Sequence, residues 1–247
     1  MSVDIIYGWH VVNHVLLNNY KLIVKLFLYK KHKKVFYLSR LLNKYNINYV
    51  FVDLSFFTKI LSNKNHQGIY AEINGFAYKS EAYLFKLLEN IVNPLLLIFD
   101  SVMDSQNLGV CIRLSFIVGV DAIILPYNNS CFISNEIHKI SCGVSLTIPI
   151  IKVVNVVRIL NIIKKKNIYV LGTSEKAKIS LYDENLIVSL AVIVGSECSG
   201  LRYLTMKNCD SIISIPVKGY VKSLNMAIAT SVVLFEVLRQ RWYNKNI

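Results

Sequence analysis

The first segment whose residue types could do chemistry follows an apolar run that ends at Asp100. Asp104 or Ser105 is a suitable N-cap for the helix predicted after it, and Asn107 and Arg113 then lie near the start of that helix. Asn107 and Arg113 therefore place an amide and a guanidinium, two polar groups that could take part in chemistry, near the end of a buried strand. Taken alone, the pattern is more typical of a capped helix with a surface arginine.

The second segment follows the apolar run Val188–Val194 and places Glu197 between Gly195 and Gly200. Glycine lets the backbone approach a ligand closely or adopt a positive φ, and a carboxylate in such a turn could orient an arginine or a substrate hydroxyl. Glu197 stands where the GxGxxG dinucleotide fingerprint has its second glycine, so the segment does not match that motif. On its own it is more typical of an ordinary tight turn.

The third segment begins where a predicted strand ends at Pro216, and it leads to the terminal helix. Ser223 is the predicted N-cap of this helix, and Asn225 falls in its first turn. Lys218 and Lys222 add positive charge that would attract a phosphate backbone. The simpler interpretation is an ordinary helix cap.

Short apolar runs rich in branched residues recur through the second half of the chain, with helical-length stretches between most of them. This alternation predicts an α/β fold with a parallel sheet covered on both faces. Ligands bind such sheets at the carboxyl ends of the strands, where the three segments lie. The predicted strands are Leu95–Phe99, Ala122–Leu125, Ile148–Ile151, Ile168–Leu171, Val188–Val194 and Ser211–Ile215.

Residues 1–74 alternate in the same way on a smaller scale and predict a separate α/β unit. A connector, residues 75–92, then precedes a larger domain at 93–247. The terminal helix of that domain is apolar on more than one face, which indicates burial in the core or at a subunit interface. The elements predicted for the first unit and the connector are helices at Val11–Leu17, Phe36–Tyr45, Ser55–Leu61 and Glu81–Leu88, and strands at Leu22–Leu28, Tyr49–Val52 and Ile69–Ile73.

The chain has 247 residues and a formal charge of +13. Ten basic and three acidic residues fall in residues 1–74, so the excess is concentrated there. Such an excess on an apolar chain indicates a polyanionic partner, either nucleic acid or an acidic membrane. A content of 54% hydrophobic and 17% charged residues excludes intrinsic disorder for most of the chain. No apolar run approaches the roughly 18–20 residues that span a bilayer.

The cysteines and histidines give little support for metal or disulfide chemistry. The five cysteines form no CxxC pair, which argues against a disulfide framework or zinc site and favours a reducing cytoplasm. His10 and His14 have helical i, i+4 spacing, but no carboxylate or cysteine accompanies them, so no metal site is expected. The residues from Met1 to Asp4 lack the basic region of a signal peptide.

The three segments, in this order and at these separations, resemble the motifs of the SpoU (TrmH-like) RNA ribose 2′-O-methyltransferases. The resemblance rests on Asp100–Arg113, Gly195–Leu201 and Ile215–Ala229. Outside them, Ile6–Val12 is similar to the opening of the two-domain members, and His66–Ile69 to the end of their small RNA-binding domain. The chain departs from the family pattern at four positions inside the motifs: Ser105, Cys198, Ser199 and Lys222.

The resemblance implies a C-terminal α/β domain with a deep trefoil knot (SPOUT-type) and a small N-terminal L30e-like RNA-binding domain. It implies a cytoplasmic homodimer that uses S-adenosyl-L-methionine to methylate a guanosine ribose 2′-hydroxyl in large-subunit (23S) ribosomal RNA. Because this methyl donor is already activated, no metal is expected to take part. The displacement needs alignment of oxygen, carbon and sulfur, and help with loss of the hydroxyl proton.

The family motifs also imply roles for single residues. Arg113 matches the family's catalytic arginine, and Asn107 matches the asparagine that supports it. Because a guanidinium normally stays protonated, we expect Arg113 to orient the ribose through a phosphate rather than to act as a base. The implied catalytic set is Asn107, Arg113, Glu197, Ser223 and Asn225. The implied cofactor-binding set is Gly195, Gly200, Ile215, Pro216 and Leu224.

Other functions stay open at this point. A non-catalytic RNA-binding or ribosome-assembly homologue would keep the fold and the charge, and a transfer RNA 2′-O-methyltransferase would use the same chemistry. A Rossmann-type dehydrogenase has the right sheet, but it needs a GxGxxG motif and a later acidic residue that this chain lacks. A peripheral membrane protein is disfavoured because Lys30–Lys34 does not continue into a basic amphipathic helix.

Overall fold

The computed structural model describes residues 3–62, 65–220 and 223–244, which fold into two compact units. The first unit comprises the residues up to 77 together with 133–147, and the second comprises residues 78–132 and those from 148 onward. The segment 133–147 lies within the C-terminal domain expected from the sequence, yet it folds with the first unit, whose core contains Leu146. The domain boundaries expected at residues 74 and 92 stay predictions.

Strands and helices alternate along most of the described chain. The strands are β1 (Val3–Tyr7), β2 (Ile23–Tyr29), β3 (Tyr49–Val52), β4 (Ile69–Asn74), β5 (Leu95–Phe99), β6 (Ala122–Pro126), β7 (Ile150–Val153), β8 (Tyr169–Thr173), β9 (Ile179–Ser180), β10 (Leu190–Val194) and β11 (Ser211–Ser214). The helices are α1 (Trp9–Asn18), α2 (Val35–Lys44), α3 (Leu54–Leu61), α4 (Glu81–Glu89), α5 (Ser105–Val118), α6 (Asn135–Ile140), α7 (Val156–Lys164), α8 (Tyr203–Lys207) and α9 (Met226–Asn244). Short 3₁₀ helices lie at Tyr20–Leu22, Val144–Leu146 and Leu181–Asp183.

The first unit contains a mixed four-stranded sheet in the order β1-β4-β2-β3. β4 is antiparallel to β1 and β2, whereas β3 is parallel to β2. Apolar side chains of α1, α2 and the strands form its main core, and a smaller cluster surrounds Phe57 of α3 and Tyr70 of β4. The helices and strands predicted for residues 1–74 are confirmed with small shifts at their ends, and β1 joins them as a further strand.

The second unit is built on a parallel sheet of seven strands in the order β7-β6-β5-β10-β8-β11-β9. Every residue of β5, β6 and β10 is buried, which is typical of a parallel sheet covered on both faces and confirms the predicted fold class. The strand predicted at Ile148–Ile151 starts too early, because Pro149 has no N–H to donate and β7 begins at Ile150. The two-residue strand β9 is too short to leave a periodic pattern in the sequence.

The terminal helix α9 begins at Met226, and its N-cap is Asn225 rather than the predicted Ser223. The Asn225 Oδ1 accepts hydrogen bonds from the N–H groups of Ala227 at 2.9 Å and Ile228 at 3.3 Å. Serine and asparagine are both good caps, so local sequence does not choose between them. No helix within the described ranges combines the length and apolar composition needed to cross a bilayer.

Candidate active site

A cavity of about 390 Å³ lies at the carboxyl ends of β8, β10 and β11. Residues at the carboxyl ends of three strands and at the start of α9 line it. They are 173–176 at the end of β8, 194–201 at the end of β10, Met206 of α8, Ile213 and Ile215 at the end of β11, and Ser223, Leu224, Met226 and Ala229. Its position follows the rule that open parallel sheets bind ligands beyond the carboxyl ends of their strands. Its volume falls in the range of about 300–1,000 Å³ typical of small-molecule sites.

The loop after β10 is folded back on itself by backbone contacts. The Ser196 N–H donates to the Gly200 carbonyl at 3.1 Å, and the Gly200 N–H donates to the Ser196 carbonyl at 2.9 Å. A Cβ on Gly195 would lie 2.2 Å from the carbonyl carbon of Gly200, so only glycine fits there. Gly200 favours glycine for a different reason, since its φ is +65°. The two glycines therefore shape one wall of the cavity.

A buried carboxylate anchors the far end of this loop. Asp100, directly after β5, is fully buried and accepts hydrogen bonds from Arg202 N at 2.6 Å, Arg202 Nε at 2.8 Å and Thr205 Oγ1 at 2.9 Å. Because an unpaired buried charge is costly, these contacts fix the loop after β10 to the end of β5. The sequence analysis does not single out Arg202 and Thr205. The available signal is the aspartate directly after an apolar strand, because a carboxylate at that position needs hydrogen-bond partners when it is buried.

Side chains from all three sequence segments meet beside the cavity. Asn107 on α5 donates a short hydrogen bond from Nδ2 to Glu197 Oε1. Asn225 Nδ2 donates to the same oxygen at 3.0 Å and to Asn107 Oδ1 at 3.0 Å. Asn107, Glu197 and Asn225 therefore form a closed hydrogen-bonded triangle, which we call the polar triangle.

Helix caps position two corners of the polar triangle. Asp104 caps α5 by accepting from two backbone N–H groups of its first turn, at 2.9 and 3.4 Å, so Asp104 rather than Ser105 is the cap. Asn225 is itself the cap of α9 and carries the other amide. Asn107 is nearly buried, and buried amides need hydrogen-bond partners, which the other two corners supply.

Glu197 lines the cavity with a carboxylate that is held on one side only. Its Oε1 accepts from both amides, whereas Oε2 has no hydrogen-bond partner within the part of the chain that the structure describes. A carboxylate fixed through one oxygen and open at the other can accept a hydrogen bond from a hydroxyl or lie against a cation. The polar triangle can thus align a hydroxyl-bearing or cationic ligand in the cavity.

Most of the residues singled out from the sequence lie at this site. Asn107 and Asn225 adjoin the cavity through their bonds to Glu197. The predicted residues that line the cavity are Gly195, Glu197, Gly200, Ile215, Ser223 and Leu224. Their roles in catalysis and in cofactor binding stay predictions.

The structure does not bring Arg113 to the polar triangle. Arg113 is exposed on α5, about 9 Å beyond Asn107 along the helix axis, and it forms no hydrogen bond or ion pair with any described residue. Pro216 and Lys218 are also exposed and do not line the cavity. Lys222, predicted to add to the basic rim, lies outside the described residues.

The end of β8 and the residues that follow it are a part of the site that the sequence pattern does not single out. Thr173 lines the cavity, and its Oγ1 donates to the Ile193 carbonyl of β10 at 3.1 Å. Glu175 and Lys176 follow it along the cavity wall. The available signal was a run of polar residues directly after an apolar strand, the same pattern that marked the other segments.

Two cysteines of the second unit, the buried Cys111 and the partly buried Cys209, have thiols with raised pKa values. Burial raises the pKa of Cys111 on α5 to about 12, against the opposing effect of a hydrogen bond with Thr230. Burial also raises the pKa of Cys209, between α8 and β11, to about 12. Both stay protonated at neutral pH, so neither can serve as a thiolate nucleophile.

The chain matches two protein-family models and is similar in fold to several solved structures. The SpoU rRNA Methylase family matches residues 94–235, and RNA 2′-O ribose methyltransferase substrate binding matches residues 5–79. The fold is similar to that of the SpoU methyltransferase AviRb from Streptomyces viridochromogenes in complex with AdoMet, with a TM-score of 0.80, 19% identity and coverage of 98% of this chain and 91% of that chain. An rRNA methyltransferase from Sinorhizobium meliloti gives a TM-score of 0.76 at 22% identity, over 96% of this chain and 87% of that one.

Curated relatives match over both units. The chain is 38% identical over 239 residues to the 23S rRNA (guanosine-2′-O-)-methyltransferase RlmB of Pasteurella multocida, which covers 96% of this chain and 98% of the relative. It is 34% identical over 249 residues to the protein of that name in Vibrio cholerae, covering 99% of this chain and 100% of the relative. From its motifs, its fold and these matches, the chain belongs to the SpoU rRNA methylase family.

Proposed function

We propose that this protein transfers a methyl group from S-adenosyl-L-methionine to the 2′-hydroxyl of a guanosine ribose in 23S ribosomal RNA. The observation that carries the proposal is the polar triangle at the edge of a cavity of about 390 Å³. The names of the curated relatives support the substrate, since they match at 34–38% identity over nearly the whole chain.

The residues of the cavity fit the proposed cofactor. Apolar side chains such as Leu201, Met206 and Ile213 offer a surface for a purine ring. Thr173 adds a hydroxyl oxygen that can accept a hydrogen bond from a polar part of the same molecule. When bound, S-adenosylmethionine supplies a methyl group that is already activated by a sulfonium, so the reaction needs no metal.

The chain's own residues then have to hold and align the attacking hydroxyl. Asn107 and Asn225 fix Glu197, whose open Oε2 can accept the hydrogen bond of the ribose 2′-hydroxyl and so help with loss of its proton. The guanidinium of Arg113 would bind a backbone phosphate, which orients the ribose and stabilises negative charge developing on oxygen. Ser223, on the cavity wall, can donate or accept a further hydrogen bond.

We also propose that the segments after β10 and β11 form the deep trefoil knot of the family, and that the protein is a cytoplasmic homodimer. The apolar residues Ile228 and Phe235 of α9 are 54% and 46% exposed. On α5, which packs against α9, Phe116 and Ile117 are exposed as well. A partner subunit that covers these side chains would remove a sizeable apolar surface from water.

Methyl transfer from labelled S-adenosylmethionine to unmethylated 23S ribosomal RNA tests the proposed function. We expect transfer by the native protein, and its loss in the Arg113→Ala and Asn225→Ala variants. Arg158→Ala is the matched control, because Arg158 is an exposed arginine on α7 whose ion pair is with Glu81. Mapping of 2′-O-methyl positions in the product identifies the nucleotide.

Each alternative outcome has a defined meaning. Full activity of the Arg113→Ala variant would remove the role assigned to Arg113. Transfer to transfer RNA but not to 23S RNA would favour the transfer RNA enzyme. Absence of both methyl transfer and calorimetric cofactor binding in the native protein would favour a non-catalytic RNA-binding homologue and overturn the proposal.

A further inference from the structure

Away from the cavity, the side of the large sheet at β6 and β7 carries aromatic rings around one lysine. Lys152 of β7 places its Nζ 4.0 Å from the ring centroid of Phe132, 4.9 Å from that of Tyr78 and 5.3 Å from that of Tyr127. The Nζ is buried and has no hydrogen-bond partner among the described residues. Burial also lowers the pKa of Lys152, against the opposing effect of Cys131. Ring faces are thus the main contacts of this ammonium group.

Two of these rings are open to solvent on their other sides. Phe132 is 68% exposed and Tyr127 is 59% exposed. Single exposed apolar residues are common on protein surfaces, but two exposed aromatic rings grouped around one cation form a local cluster. We call Tyr127, Phe132 and Lys152 the aromatic platform.

The loop that carries the rings is held rigidly to the segment leading into α5. The Val102 N–H donates to the Asn129 carbonyl at 3.0 Å, and the Cys131 N–H donates to the Val102 carbonyl at 2.8 Å. Ser130 is buried, and its Oγ donates to the Pro126 carbonyl at 2.5 Å. Because the loop is already ordered, a ligand that stacks on its rings would lose little free energy to further ordering.

The aromatic platform lies beside the strand that leads to Asn107. β7, β6 and β5 are neighbours in the sheet, and Asn107 follows β5 on α5. Adjacent strands are about 4.8 Å apart, so the carboxyl ends of β6 and β7 are roughly 5 and 10 Å to the side of that of β5. A polynucleotide whose ribose lies at the polar triangle could therefore reach the platform with the base of the same nucleotide or of a neighbour.

We propose that Tyr127 and Phe132, backed by Lys152, bind an unpaired base of the RNA substrate next to the ribose that is methylated. The inference rests on the proposed function for the identity of the RNA. Single-stranded RNA is commonly recognised by stacking of unpaired bases on aromatic side chains. The ammonium on one side of the Phe132 ring adds positive charge close to an electron-rich base and to the phosphate that follows it.

RNA-binding and methyl-transfer measurements on full-length variants test the platform. In Phe132→Ala and Tyr127→Ala, we expect the Kd for a 23S RNA fragment to rise roughly 5- to 150-fold, the range for loss of one base stack. Phe132→Trp should restore binding, whereas Phe132→Leu, which keeps an apolar side chain but no ring, should not. Val154→Ala is the matched control, since Val154 follows β7 directly and is 83% exposed. Calorimetric S-adenosylmethionine binding should be unchanged in all these variants.

A second arm locates the base and separates stacking from a structural effect. Each unpaired nucleotide near the methylated position is replaced in turn by an abasic ribose. One replacement should weaken binding to the native protein, and the same replacement should have no further effect in Phe132→Ala. Native-like RNA affinity of both alanine variants, or additive losses at every abasic position, would overturn the proposal. A change in oligomeric state of the alanine variants would identify the platform as a subunit contact and overturn it as well.

Failure of the proposed function gives a different result. If the native protein binds RNA but transfers no methyl group, the proposed enzymatic function is wrong. The affinity measurements on the variants would still show whether the aromatic platform binds a base. If the native protein binds no RNA at all, both proposals are wrong.

Discussion

Asn225 connects the terminal helix to the loop after β10, because its Nδ2 donates to Glu197 Oε1 at 3.0 Å while its Oδ1 caps α9. One side chain thus serves both the stability of α9 and the orientation of the carboxylate at the cavity. The two effects can be separated, since the cap needs only an acceptor and the contact with Glu197 needs a donor.

The Asn225→Asp variant keeps the acceptor and loses the donor. We expect its free energy of unfolding to stay within about 1 kcal/mol of the native value, because aspartate is an equally good cap. We expect methyl transfer to fall about 100-fold or more, since a second carboxylate would repel Glu197 and disrupt the polar triangle. Urea unfolding and single-turnover methyl transfer measure the two quantities. A native rate in Asn225→Asp would show that the donated bond has no role.

Gly195→Ala should distort one wall of the cavity and leave the fold intact. An added Cβ would lie 2.2 Å from the Gly200 carbonyl carbon, so the loop must move, and we expect cofactor affinity by calorimetry to fall roughly tenfold or more. Gly119→Ala is the control, because Gly119 has a φ of +87° with no atom within 4 Å of the added Cβ. That change should cost about 1 kcal/mol of stability and leave cofactor binding intact. Equal cofactor affinity in the two variants would contradict this account.

Arg202→Met removes the cationic side-chain partner of a fully buried carboxylate, Asp100, and leaves the Thr205 hydroxyl as its side-chain partner. Because the charge would be left only partly compensated, we expect a loss of about 3 kcal/mol in the free energy of unfolding, together with weaker cofactor binding. The control is Arg158→Met, whose ion pair with Glu81 lies near the surface and should contribute less than about 1 kcal/mol. Chemical denaturation of both variants makes the comparison, and similar small losses would show that Asp100 does not anchor the loop.

The first unit should lose stability in mild acid because of His138. Burial lowers the pKa of His138 to about 4 from its usual 6.5, although the charge of Asp4 opposes the shift. Between those values the unfolded chain binds more protons than the folded one, so stability is complete above about pH 6.5 and falls as the pH drops towards 4. The loss amounts to about 3 kcal/mol.

Urea unfolding between pH 7.5 and 4.5 checks this pH dependence. His138→Gln should flatten the profile, because glutamine can still bond to Ser145 Oγ, which lies 2.7 Å from His138 Nδ1, but does not titrate in this range. The control His10→Gln replaces an exposed histidine and should leave the profile as it is. A native profile in the His138→Gln variant would assign the acid sensitivity to another group.

Removal of Lys31 and Lys33 should weaken RNA binding in a salt-dependent way. Both are exposed and lie in the basic residues 1–74. Each lost phosphate contact should make the slope of log K against log salt concentration shallower by about 0.7–0.9. The double glutamine variant is compared with Lys165→Gln/Lys166→Gln, which removes equal charge beyond α7. Equal slopes in the two variants would show that the first unit is not the main site of phosphate contact.

The sequence predicts the parallel sheet well because its strands are buried, and buried strands are continuous apolar runs of branched residues. It does not show that segment 133–147 packs with the first unit, because nothing local in that segment indicates which core it joins. In the structure its Gly143 approaches α1 so closely that a Cβ would lie 2.9 Å from the Val11 carbonyl oxygen. Such an approach depends on tertiary packing and leaves only a single glycine in the sequence.

The residues of the candidate site also differ in whether local sequence can predict them. Gly195 and Asn107 could be singled out because each follows a strand end with a recognisable turn or cap pattern. The contact of Asp100 with Arg202 could not, since the two residues are distant in sequence and an arginine after a turn is common on surfaces. The sequence predicts Ser223 as the cap of α9, whereas the structure has Asn225, because both residue types can satisfy the same backbone N–H groups.

Because residues 133–147 fold with the first unit, the two units cannot fold one after the other in the order in which the chain is synthesised. Domains usually fold as they leave the ribosome, the N-terminal one first. Here Leu146, part of the first unit's core, is made only after β5 and β6 of the second unit. Part of the apolar core of the nascent first unit therefore stays exposed until Leu146 has been synthesised. By that time part of the second unit has already emerged from the ribosome. The chain also crosses between the units at three points, so a single protease cut cannot release either unit whole.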